Sequence, residues 1–282
     1  MKVMLVGAFG KLGEDILRKL VLDGHEVIAI DKVHRQIHTI EGSFVSEVMD
    51  VTKREELKGK LSGIDLVIST VGLTSSSKNF TNYDIDYQGN LNLLQEAIKA
   101  GVTRFAYVSV LKADGDKTVP MLRAKYMMEQ ELKKSGIEYV IFRPTGYFYD
   151  LTKVFVPMVR QGSVTLLGKR TIHANPIDTY DLARFIVEHM MDENCIYDIG
   201  GKETYSYEEI AHMLFQRMGI TPKIKYVPIW IFDILAWVAK IRRTGKESVI
   251  RFSKWTLTNE MVAKTQYGEK SFSDYINNME QK

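Results

Sequence analysis

The fold is decided by the stretch MKVMLVGAFGKLGEDILRKL, residues 1–20. Its apolar run at residues 3–6 predicts a buried parallel strand. Further along, apolar residues recur at the spacing of one helix face, which predicts an amphipathic helix: Ile16, Leu17 and Leu20. Three glycines separate these elements and therefore occupy a strand-to-helix turn: Gly7, Gly10 and Gly13.

A glycine turn in this place is suited to bind a pyrophosphate. The first N–H groups of a helix have no partner within it and carry partial positive charge, and the missing Cβ atoms let phosphate oxygens reach them. The sequence therefore predicts a dinucleotide cofactor, with a merely structural turn as the alternative. The residues expected to contact the cofactor here are Gly7, Phe9, Gly10, Lys11, Leu12 and Gly13.

The second strand, predicted at residues 25–31, ends in an acidic residue about twenty positions after the glycine turn. The Asp31 carboxylate can accept hydrogen bonds from the adenosine ribose hydroxyls, and it would repel the 2′-phosphate of NADP. Lys32 and Arg35 follow it and could attract that phosphate. These residues favour NAD slightly and leave NADP open.

Strand and helix patterns alternate up to residue 145, which predicts an α/β fold of the Rossmann type with a doubly wound parallel sheet. After that residue the pattern loosens into short segments, which predicts a smaller C-terminal substrate lobe. We therefore expect an NAD(P)-binding domain at residues 1–145 and a substrate-binding lobe at residues 146–282. Some segments of the second half are expected to return to the sheet.

The glycine spacing and several later segments resemble the extended and atypical short-chain dehydrogenase/reductases. In chain order, residues 64–72 (IDLVISTVG) resemble the fourth strand and its turn beside the cofactor, and residues 83–94 (YDIDYQGNLNLL) resemble the next helix. Residues 104–110 (RFAYVSV) resemble the fifth strand. The resemblance implies that Asp50, in a pair with Val51, meets the adenine amine. It also implies that a small-residue turn lies beside the cofactor, formed by Thr70, Val71 and Gly72.

The second half of the chain narrows this resemblance. RAKYMMEQEL (residues 123–132), FRPTGYFYDL (142–151) and NPIDTYDLARFI (175–186) are similar to the atypical branch that contains NmrA-like proteins. Within that branch they most resemble the divinyl chlorophyllide reductases, whose members use NADPH. The resemblance implies cofactor contacts from Pro144, Thr145 and Gly146.

The catalytic position departs from the wider superfamily. Typical members place a tyrosine four residues before a lysine, so that both project from one helix face. The tyrosine donates a proton, while the lysine holds the nicotinamide ribose and lowers the tyrosine pKa. Here Lys125 matches the lysine, but Met121 stands in place of the tyrosine, and a thioether cannot act as a general acid. Tyr126 does not replace it, because the next residue of a helix lies about 100° around the axis.

Two classes of function follow from this departure. The first is a reductase in which Lys125, a bound water or another side chain supplies the proton, and the chlorophyllide-type reductases also lack the tyrosine. The second is a non-catalytic NAD(P)-binding regulatory or assembly protein, as some NmrA-like proteins are. A sugar-nucleotide epimerase is a third alternative, which Met121 disfavours.

Other polar residues have both a functional and a structural interpretation. Ser109 ends a strand at the ligand edge, where it either polarises a substrate carbonyl or caps the strand. His173 lies near residues 175–178, in a loop that relatives use beside the cofactor, where it could donate a proton. A histidine without a partner is more often a surface or structural residue. Asp178 and Asp181 open a predicted helix, and stabilisation of the helix dipole explains them without function.

Composition indicates a soluble globular enzyme, with 45% hydrophobic and 26% charged residues among 282. The net charge of +3 gives no reason to expect nucleic acid binding. The single cysteine excludes an intramolecular disulfide and is compatible with the cytoplasm. Because no histidine, cysteine and carboxylate cluster has metal-ligand spacing, no metal is expected.

One apolar stretch, residues 228–241 (PIWIFDILAWVAKI), precedes two arginines. It is shorter than the roughly 18 residues that a membrane-spanning helix needs. A helix packed on the substrate lobe is one interpretation. A pocket wall or lid for an apolar substrate is the other, with residues 228–243 also able to contact an anionic membrane surface.

Overall fold

The computed structural model of the chain describes residues 1–33 and 42–279. Arg35 lies outside the described residues. The first half contains β1 (Lys2–Val6), α1 (Lys11–Leu22), β2 (Glu26–Asp31), β3 (Val45–Val48), α2 (Arg54–Leu57), β4 (Leu66–Ser69), a π-helix (Tyr83–Gly89), α3 (Asn90–Lys99), β5 (Arg104–Val108), α4 (Pro120–Lys134) and β6 (Glu138–Pro144). The second half contains α5 (Phe148–Arg160), β7 (Val164–Leu167), β8 (His173–Ala174), α6 (Thr179–His189), β9 (Cys195–Gly200), β10 (Tyr205–Ser206), α7 (Tyr207–Arg217), β11 (Ile224–Val227), α8 (Trp230–Ile241), α9 (Glu247–Thr256), β12 (Thr265–Gln266) and α10 (Phe272–Asn277).

Eight strands form one parallel sheet in the order β12-β9-β6-β5-β4-β1-β2-β3. Strand β1 lies between β2 and β4, so the direction in which the chain adds strands reverses beside it. In open parallel sheets, ligands bind at the carboxyl ends of the strands at such a reversal. The predicted doubly wound Rossmann-type fold is thereby confirmed.

The sheet is covered by helices on both faces, because successive strand residues point to opposite sides. Val3 and Leu5 of β1 pack in one buried cluster with apolar residues of α1 and α6. Met4 and Val6 pack in a second cluster with residues of α3 and α4. Both faces of β1 are therefore buried, as its continuous apolar run predicts.

The C-terminal lobe has its own apolar cluster, formed mainly by α5, α7, α10 and β7, with Trp255 of α9. Two small sheets accompany it, a parallel pair of β7 and β11 and an antiparallel pair of β8 and β10. Strands β9 and β12 nevertheless join the main sheet, and α6 packs on α1. The main sheet thus draws strands from both sides of residue 145.

The helix expected at residues 83–94 is divided into a π-helix and α3. Asn90, at the junction, explains how the wide turn is satisfied. Its side-chain amide donates to the carbonyl oxygens of Ile85 (3.2 Å) and Asp86 (3.1 Å), both within the π-helix. Helix propensity alone did not indicate this change, because it depends on one side chain that bonds back to the backbone.

Helix α8 packs on the substrate lobe through α9, as one of the two interpretations holds, but it buries little of its apolar surface there. Only Ala236 and Ala239 of this helix are buried, and it packs on α9. Five of its large apolar side chains are exposed, among them Trp230 (59%) and Trp237 (60%), whereas Ile231, Phe232 and Val238 are half-buried. Among the described residues, no helix has the length and apolar character to cross a membrane.

Candidate cofactor site and active site

The glycine turn connects β1 to α1 through a backbone that only glycine adopts readily. Gly7 has φ of +83°, and a Cβ built on it would lie 2.5 Å from the Thr70 hydroxyl oxygen. That hydroxyl donates to the carbonyl oxygens of Val6 (3.2 Å) and Gly7 (3.0 Å). Thr70 therefore fixes the glycine turn to the end of β4. This is the position of the second turn, residues 70–72, that the resemblance implies beside the cofactor.

Gly10 and Gly13 differ in what surrounds them. A Cβ on Gly13 would lie 2.1 Å from the Gly7 carbonyl oxygen, so this glycine permits α1 to pack against the turn. A Cβ on Gly10 would have only that oxygen near it, at 3.4 Å. Gly10 precedes α1 without a side-chain cap, and the first helical hydrogen bond runs from Glu14 to Gly10. The open side of Gly10 and the uncapped N–H groups of α1 fit a pyrophosphate.

Asp31, at the end of β2, lies against the glycine turn. Its two carboxylate oxygens accept hydrogen bonds from the backbone N–H groups of Phe9 (3.1 Å) and Lys32 (2.7 Å). Each oxygen keeps a lone pair that can accept from a ribose hydroxyl. The Phe9 side chain is buried in the core, so Phe9 can contact a cofactor only through its backbone.

Asp50 and Val51 follow β3, yet both have roles within the fold. The Asp50 carboxylate accepts from the backbone N–H (3.0 Å) and hydroxyl (2.7 Å) of Thr52. Val51 is buried, and its carbonyl oxygen accepts from the Asn92 side chain at 3.0 Å. An adenine contact by Asp50 remains a prediction that these bonds neither require nor prevent.

Lys125 is a buried cation beside the end of β4. Its Nζ lies 3.3 Å from Asp86 Oδ1, without the angles of a hydrogen bond, and donates to the Val108 carbonyl oxygen at 3.1 Å. A Cβ on Gly72 would lie 2.9 Å from Asp86 Oδ1 and 3.2 Å from Lys125 Nζ. The predicted cofactor turn and the predicted active-site lysine are therefore in contact.

Asp86 is completely buried, and sequence reasoning did not identify it as a site residue. Its Oδ2 accepts from the Leu73 backbone N–H (3.1 Å) and the Asn82 amide (2.8 Å), which leaves Oδ1 facing Lys125. The signal in the sequence is a pair of polar residues, Asp86 and Asn90, one helical turn apart on the helix face that continues with Leu93 and Ala97. Such a pair on a core-facing side indicates a buried polar network.

Tyr107 lies beneath this ion pair, with Lys125 Nζ 5.3 Å from its ring centroid. Burial, and then the negative charges of Asp86 and Glu129, raise the pKa of the Tyr107 phenol well above its ordinary value. The hydroxyl donates to the Asp86 carbonyl oxygen at 3.3 Å. Tyr107 therefore remains a neutral support for the lysine.

Ser109, which follows β5, belongs to a second buried network. Its hydroxyl donates to Glu129 Oε1 at 2.5 Å. Glu129 also accepts two hydrogen bonds from the Arg143 guanidinium, at 2.9 Å and 2.5 Å. Because the one hydroxyl proton of Ser109 already has an acceptor, polarising a substrate carbonyl would require this bond to break. Sequence reasoning missed the Glu129–Arg143 pair.

Met121 and Tyr126 take the positions that the helix geometry of α4 predicts. Met121 is buried at the start of the helix, and Tyr126 packs in the cluster of the C-terminal lobe. His173 lies in β8, where its Nδ1 is 3.3 Å from Glu260 Oε2 and its side chain is 44% exposed. These contacts favour the structural interpretation of His173.

The segment after β6 lies at the same sheet edge. The Thr145 hydroxyl donates to the Asn175 carbonyl oxygen at 2.7 Å, so it supports the fold. A Cβ on Gly146 would meet no atom within 4 Å, and Pro144 ends β6. Gly146 therefore leaves space at the carboxyl end of β6, at the same edge of the sheet as the glycine turn.

Asp178 and Asp181 have the helix-opening role that the sequence indicates. Asp178 caps α6 by accepting from the Tyr180 backbone N–H at 3.0 Å. Asp181 accepts from the backbone N–H groups of Glu269 and Lys270, each at 3.0 Å. These bonds tie α6 to the segment after β12.

Asp150, in the first turn of α5, is the carboxyl group in this region with a strongly shifted pKa. Burial raises the pKa of Asp150 to about 6, and Lys153 opposes the shift. Its neighbours Tyr147 and Tyr149 stack with ring centroids 5.6 Å apart. Asp150 thus changes charge close to neutral pH at the start of the substrate lobe.

Comparison with known proteins gives a family and two kinds of relative. The sequence model of a family described as NAD(P)H-binding matches residues 7–193. A photosystem II assembly factor, Ycf39, of Guillardia theta is 25% identical in an alignment that covers 95% of this chain and 89% of that protein. A divinyl chlorophyllide a 8-vinyl-reductase of Oryza sativa subsp. indica is 29% identical in an alignment that covers 89% of this chain and 68% of that protein. The resemblance to the atypical, NmrA-like branch is confirmed.

Solved structures share the fold. A nucleoside-diphosphate-sugar epimerase from Staphylococcus aureus matches with a TM-score of 0.78 and 17% identity, covering 99% of this chain and 100% of that chain. An NADPH-dependent quinone oxidoreductase from Escherichia coli, complexed with NADPH, matches with a TM-score of 0.72 and 17% identity, covering 97% and 98%. At this identity the two matches show the Rossmann-type architecture.

Proposed function

Since this chain belongs to the family of NAD(P)H-binding proteins, we propose that it is a reductase that acts on an apolar substrate of small to medium size. The reaction is transfer of a hydride to a carbon–carbon double bond or a carbonyl group. The observation that carries the proposal is the buried Lys125–Asp86 pair, held against Gly72 where the sheet reverses. The relative described as a vinyl reductase supports the choice of reaction.

Binding of the cofactor follows from the groups at the carboxyl edge of the sheet. The glycine turn and the N-terminus of α1 would hold the pyrophosphate, and Asp31 would accept from the adenosine ribose. Lys125, fixed by Asp86, would hold the nicotinamide ribose. The full set that we assign to the cofactor is Gly7, Phe9, Gly10, Lys11, Leu12, Gly13, Asp31, Lys32, Asp50, Val51, Thr70, Val71, Gly72, Lys125, Pro144, Thr145 and Gly146.

The chemistry divides between cofactor and protein. When bound, the reduced nicotinamide supplies the hydride. The protein orients the substrate and supplies the proton, which comes from Lys125 or from water that it orders, since Met121 has no proton to give. Ser109 is the second catalytic candidate. The Asp31 carboxylate favours NAD over NADP, although the vinyl reductases that the sequence resembles use NADPH.

We assign residues 1–145 to cofactor binding and residues 146–282 to substrate binding. This division is by function, because the main sheet takes strands from both parts. We place the activity in the cytoplasm, which a single cysteine and the absence of a required disulfide support.

The test is oxidation of NADH and NADPH by the purified full-length chain with a panel of enones, quinones and tetrapyrroles. Mass spectrometry of any ligand that co-purifies would guide the panel. We expect turnover with at least one apolar acceptor, and we expect its loss in Lys125→Ala. Tight cofactor binding without oxidation by any acceptor would contradict the reductase.

A non-catalytic, cofactor-binding assembly protein is the second candidate. It is favoured by Met121 in the usual position of the acid and by the relative described as an assembly factor. In that case the wild type would bind the cofactor but would not turn over any acceptor. A Lys125→Ala variant would then show weaker cofactor binding and no change in activity.

A further inference from the structure

The surface of α8 carries a continuous apolar stripe. Trp230, Ile234, Trp237 and Ile241 follow at spacings of four, three and four residues, so they lie on one face of the helix. Each is at least half exposed, from 50% for Ile234 to 60% for Trp237. Ala236 and Ala239, on the opposite face, are the buried residues of α8. The fold therefore presents these four large side chains of the helix outward.

Such an exposure is unusual for a monomer, because burying these side chains would be favourable. The stripe continues at its N-terminal end with Ile229, which is 41% exposed. A Cβ built on Gly168, in the loop after β7, would lie 3.5 Å from the Ile229 side chain. Together these residues, Ile229 to Ile241, form what we call the α8 surface.

Basic residues flank the α8 surface along the chain. Residues 223–246 hold six Lys or Arg and one Asp, a formal charge of +5, whereas the rest of the chain carries −2. In the part of the chain that the structure describes, these six groups form no ion pair: Lys223, Lys225, Lys240, Arg242, Arg243 and Lys246. The loop next to Ile229 adds Lys169 and Arg170, both exposed.

The acidic groups near this surface are largely engaged. Asp233 pairs with Lys254 of α9 at 2.6 Å. Glu247 pairs with Arg251 at 3.0 Å, and Glu208 accepts from the Tyr226 hydroxyl at 2.8 Å. Glu208 keeps its negative charge in this bond, but the eight basic groups outnumber it, so the net charge near the stripe is positive.

We infer that the α8 surface docks the protein onto a membrane that contains anionic lipids. An apolar stripe with two tryptophans suits the boundary between headgroups and acyl chains, and the basic rim suits phosphate headgroups. A protein partner with an apolar groove would not need eight basic groups around the helix. The inference does not depend on catalysis, because it rests on surface chemistry alone.

The α8 surface is joined to the candidate site by direct contacts. Gly245, just after α8, has φ of +74°, and a Cβ on it would lie 2.0 Å from the Ser77 carbonyl oxygen in the loop after β4. Ser248 donates to Asn82, which in turn donates to Asp86, the partner of Lys125. Docking would therefore bring the carboxyl edge of the sheet near the bilayer. If the proposed reductase is correct, its apolar substrate would be drawn from the membrane.

The experiment is flotation of the full-length chain with phosphatidylcholine vesicles, with or without about 30 mol% phosphatidylglycerol. We expect binding only to the anionic vesicles, and weaker binding at high salt. Arg242→Glu with Arg243→Glu should weaken binding by about tenfold or more. The matched control is Lys133→Glu with Lys134→Glu, the same charge change on α4, and it should bind like the wild type.

Tryptophan emission gives a second readout, since two of the three tryptophans lie on the α8 surface and Trp255 is buried. Anionic vesicles should shift the emission to shorter wavelength in the wild type. They should not do so in Trp230→Ser with Trp237→Ser, whereas the control Leu22→Ser, at an exposed residue of α1, should keep the shift. Equal flotation of the Arg242 and Arg243 variant, or a stable dimer in sedimentation that does not bind vesicles, would overturn the inference. Neither readout requires turnover, so failure of the reductase proposal would remain distinguishable.

Discussion

Lys125 Nζ lies 3.3 Å from Asp86 Oδ1, and both side chains are buried. A buried ion pair is costly to desolvate and is most costly when one partner is removed. Neither side chain reaches the protein surface, so the pair does not serve solubility. Its position beside Gly72 is its most informative property. It holds a cation at the sheet edge where cofactors of this fold bind.

Removing Lys125 should affect both stability and cofactor binding. Lys125→Ala leaves Asp86 as an uncompensated buried charge, and we expect a loss of about 3–5 kcal/mol in the free energy of unfolding. Urea unfolding measures that loss, and calorimetry with NADH and NADPH measures the affinity. If the protein is a reductase, the rate should fall by more than the lost affinity explains.

The double variant Lys125→Met with Asp86→Asn separates the two roles. It removes both charges at similar volume, so most of the lost stability should return. Cofactor affinity should stay low, because no cation is left to hold the ribose. A double variant with both wild-type stability and wild-type affinity would make Lys125 a residue of the fold only.

The glycine turn predicts opposite effects at two of its positions. Gly10→Val should leave the free energy of unfolding within about 1 kcal/mol of the wild type, because its Cβ has space. It should weaken cofactor binding by about 100-fold or more, since the side chain would enter the pyrophosphate site.

Gly13→Ala is the structural counterpart of that variant. Its Cβ would lie 2.1 Å from the Gly7 carbonyl oxygen, so the backbone of the turn must move, at a cost of about 3 kcal/mol. Thermal and urea unfolding of both variants, with calorimetry of NADH and NADPH binding, check these expectations. Unchanged affinity of Gly10→Val for both cofactors would contradict the cofactor assignment at this turn.

The sequence predicts the sheet well and the polar networks poorly, for a physical reason. Strand β1 and helix α1 follow from local periodicity, and the capping box of α7 follows from Ser206 and Glu209, three residues apart. Asp86 meets Lys125 across 39 residues of chain, and Glu129 meets Arg143 only after the sheet has assembled. No local pattern encodes such a contact. The exposure of the apolar face of α8 could not be predicted either, because an apolar stripe has the same sequence whether it is buried or exposed.

We expect cofactor choice to depend on Asp31 and Lys32, which carry opposite charges at the end of β2. We expect the wild type to bind NADH more tightly than NADPH, because the carboxylate repels a 2′-phosphate. Asp31→Ala should weaken NADH binding by about tenfold, through loss of charged hydrogen bonds. Lys32→Ala should weaken only NADPH binding. Dissociation constants of the three proteins for both cofactors decide the matter, and unaffected NADH binding in Asp31→Ala would remove Asp31 from the ribose.

Asp150 should make stability depend on pH. Because burial raises its folded pKa to about 6, the folded state favours the protonated carboxyl group. Its contribution is therefore fully present below the unfolded pKa of about 4 and is lost as the pH rises to about 6. Asp150→Asn cannot ionise, so it should gain on the wild type by about 1–3 kcal/mol between pH 4 and pH 7. Urea unfolding at several pH values measures this difference, and a constant difference would show that Asp150 titrates normally.

Ser109 is the residue whose role a pair of variants can decide. Since its hydroxyl donates to Glu129 at 2.5 Å, Ser109→Ala should cost about 1–2 kcal/mol of stability while the two bonds from Arg143 hold Glu129 in place. Ser109→Thr keeps a hydroxyl and should recover part of that loss. With an active acceptor in hand, we expect kcat of Ser109→Ala to stay within about tenfold of the wild type, because the proton of Ser109 faces the core network. A fall in kcat of about 100-fold or more, restored by threonine and without a matching loss of stability, would instead establish that Ser109 turns from Glu129 to polarise the substrate carbonyl.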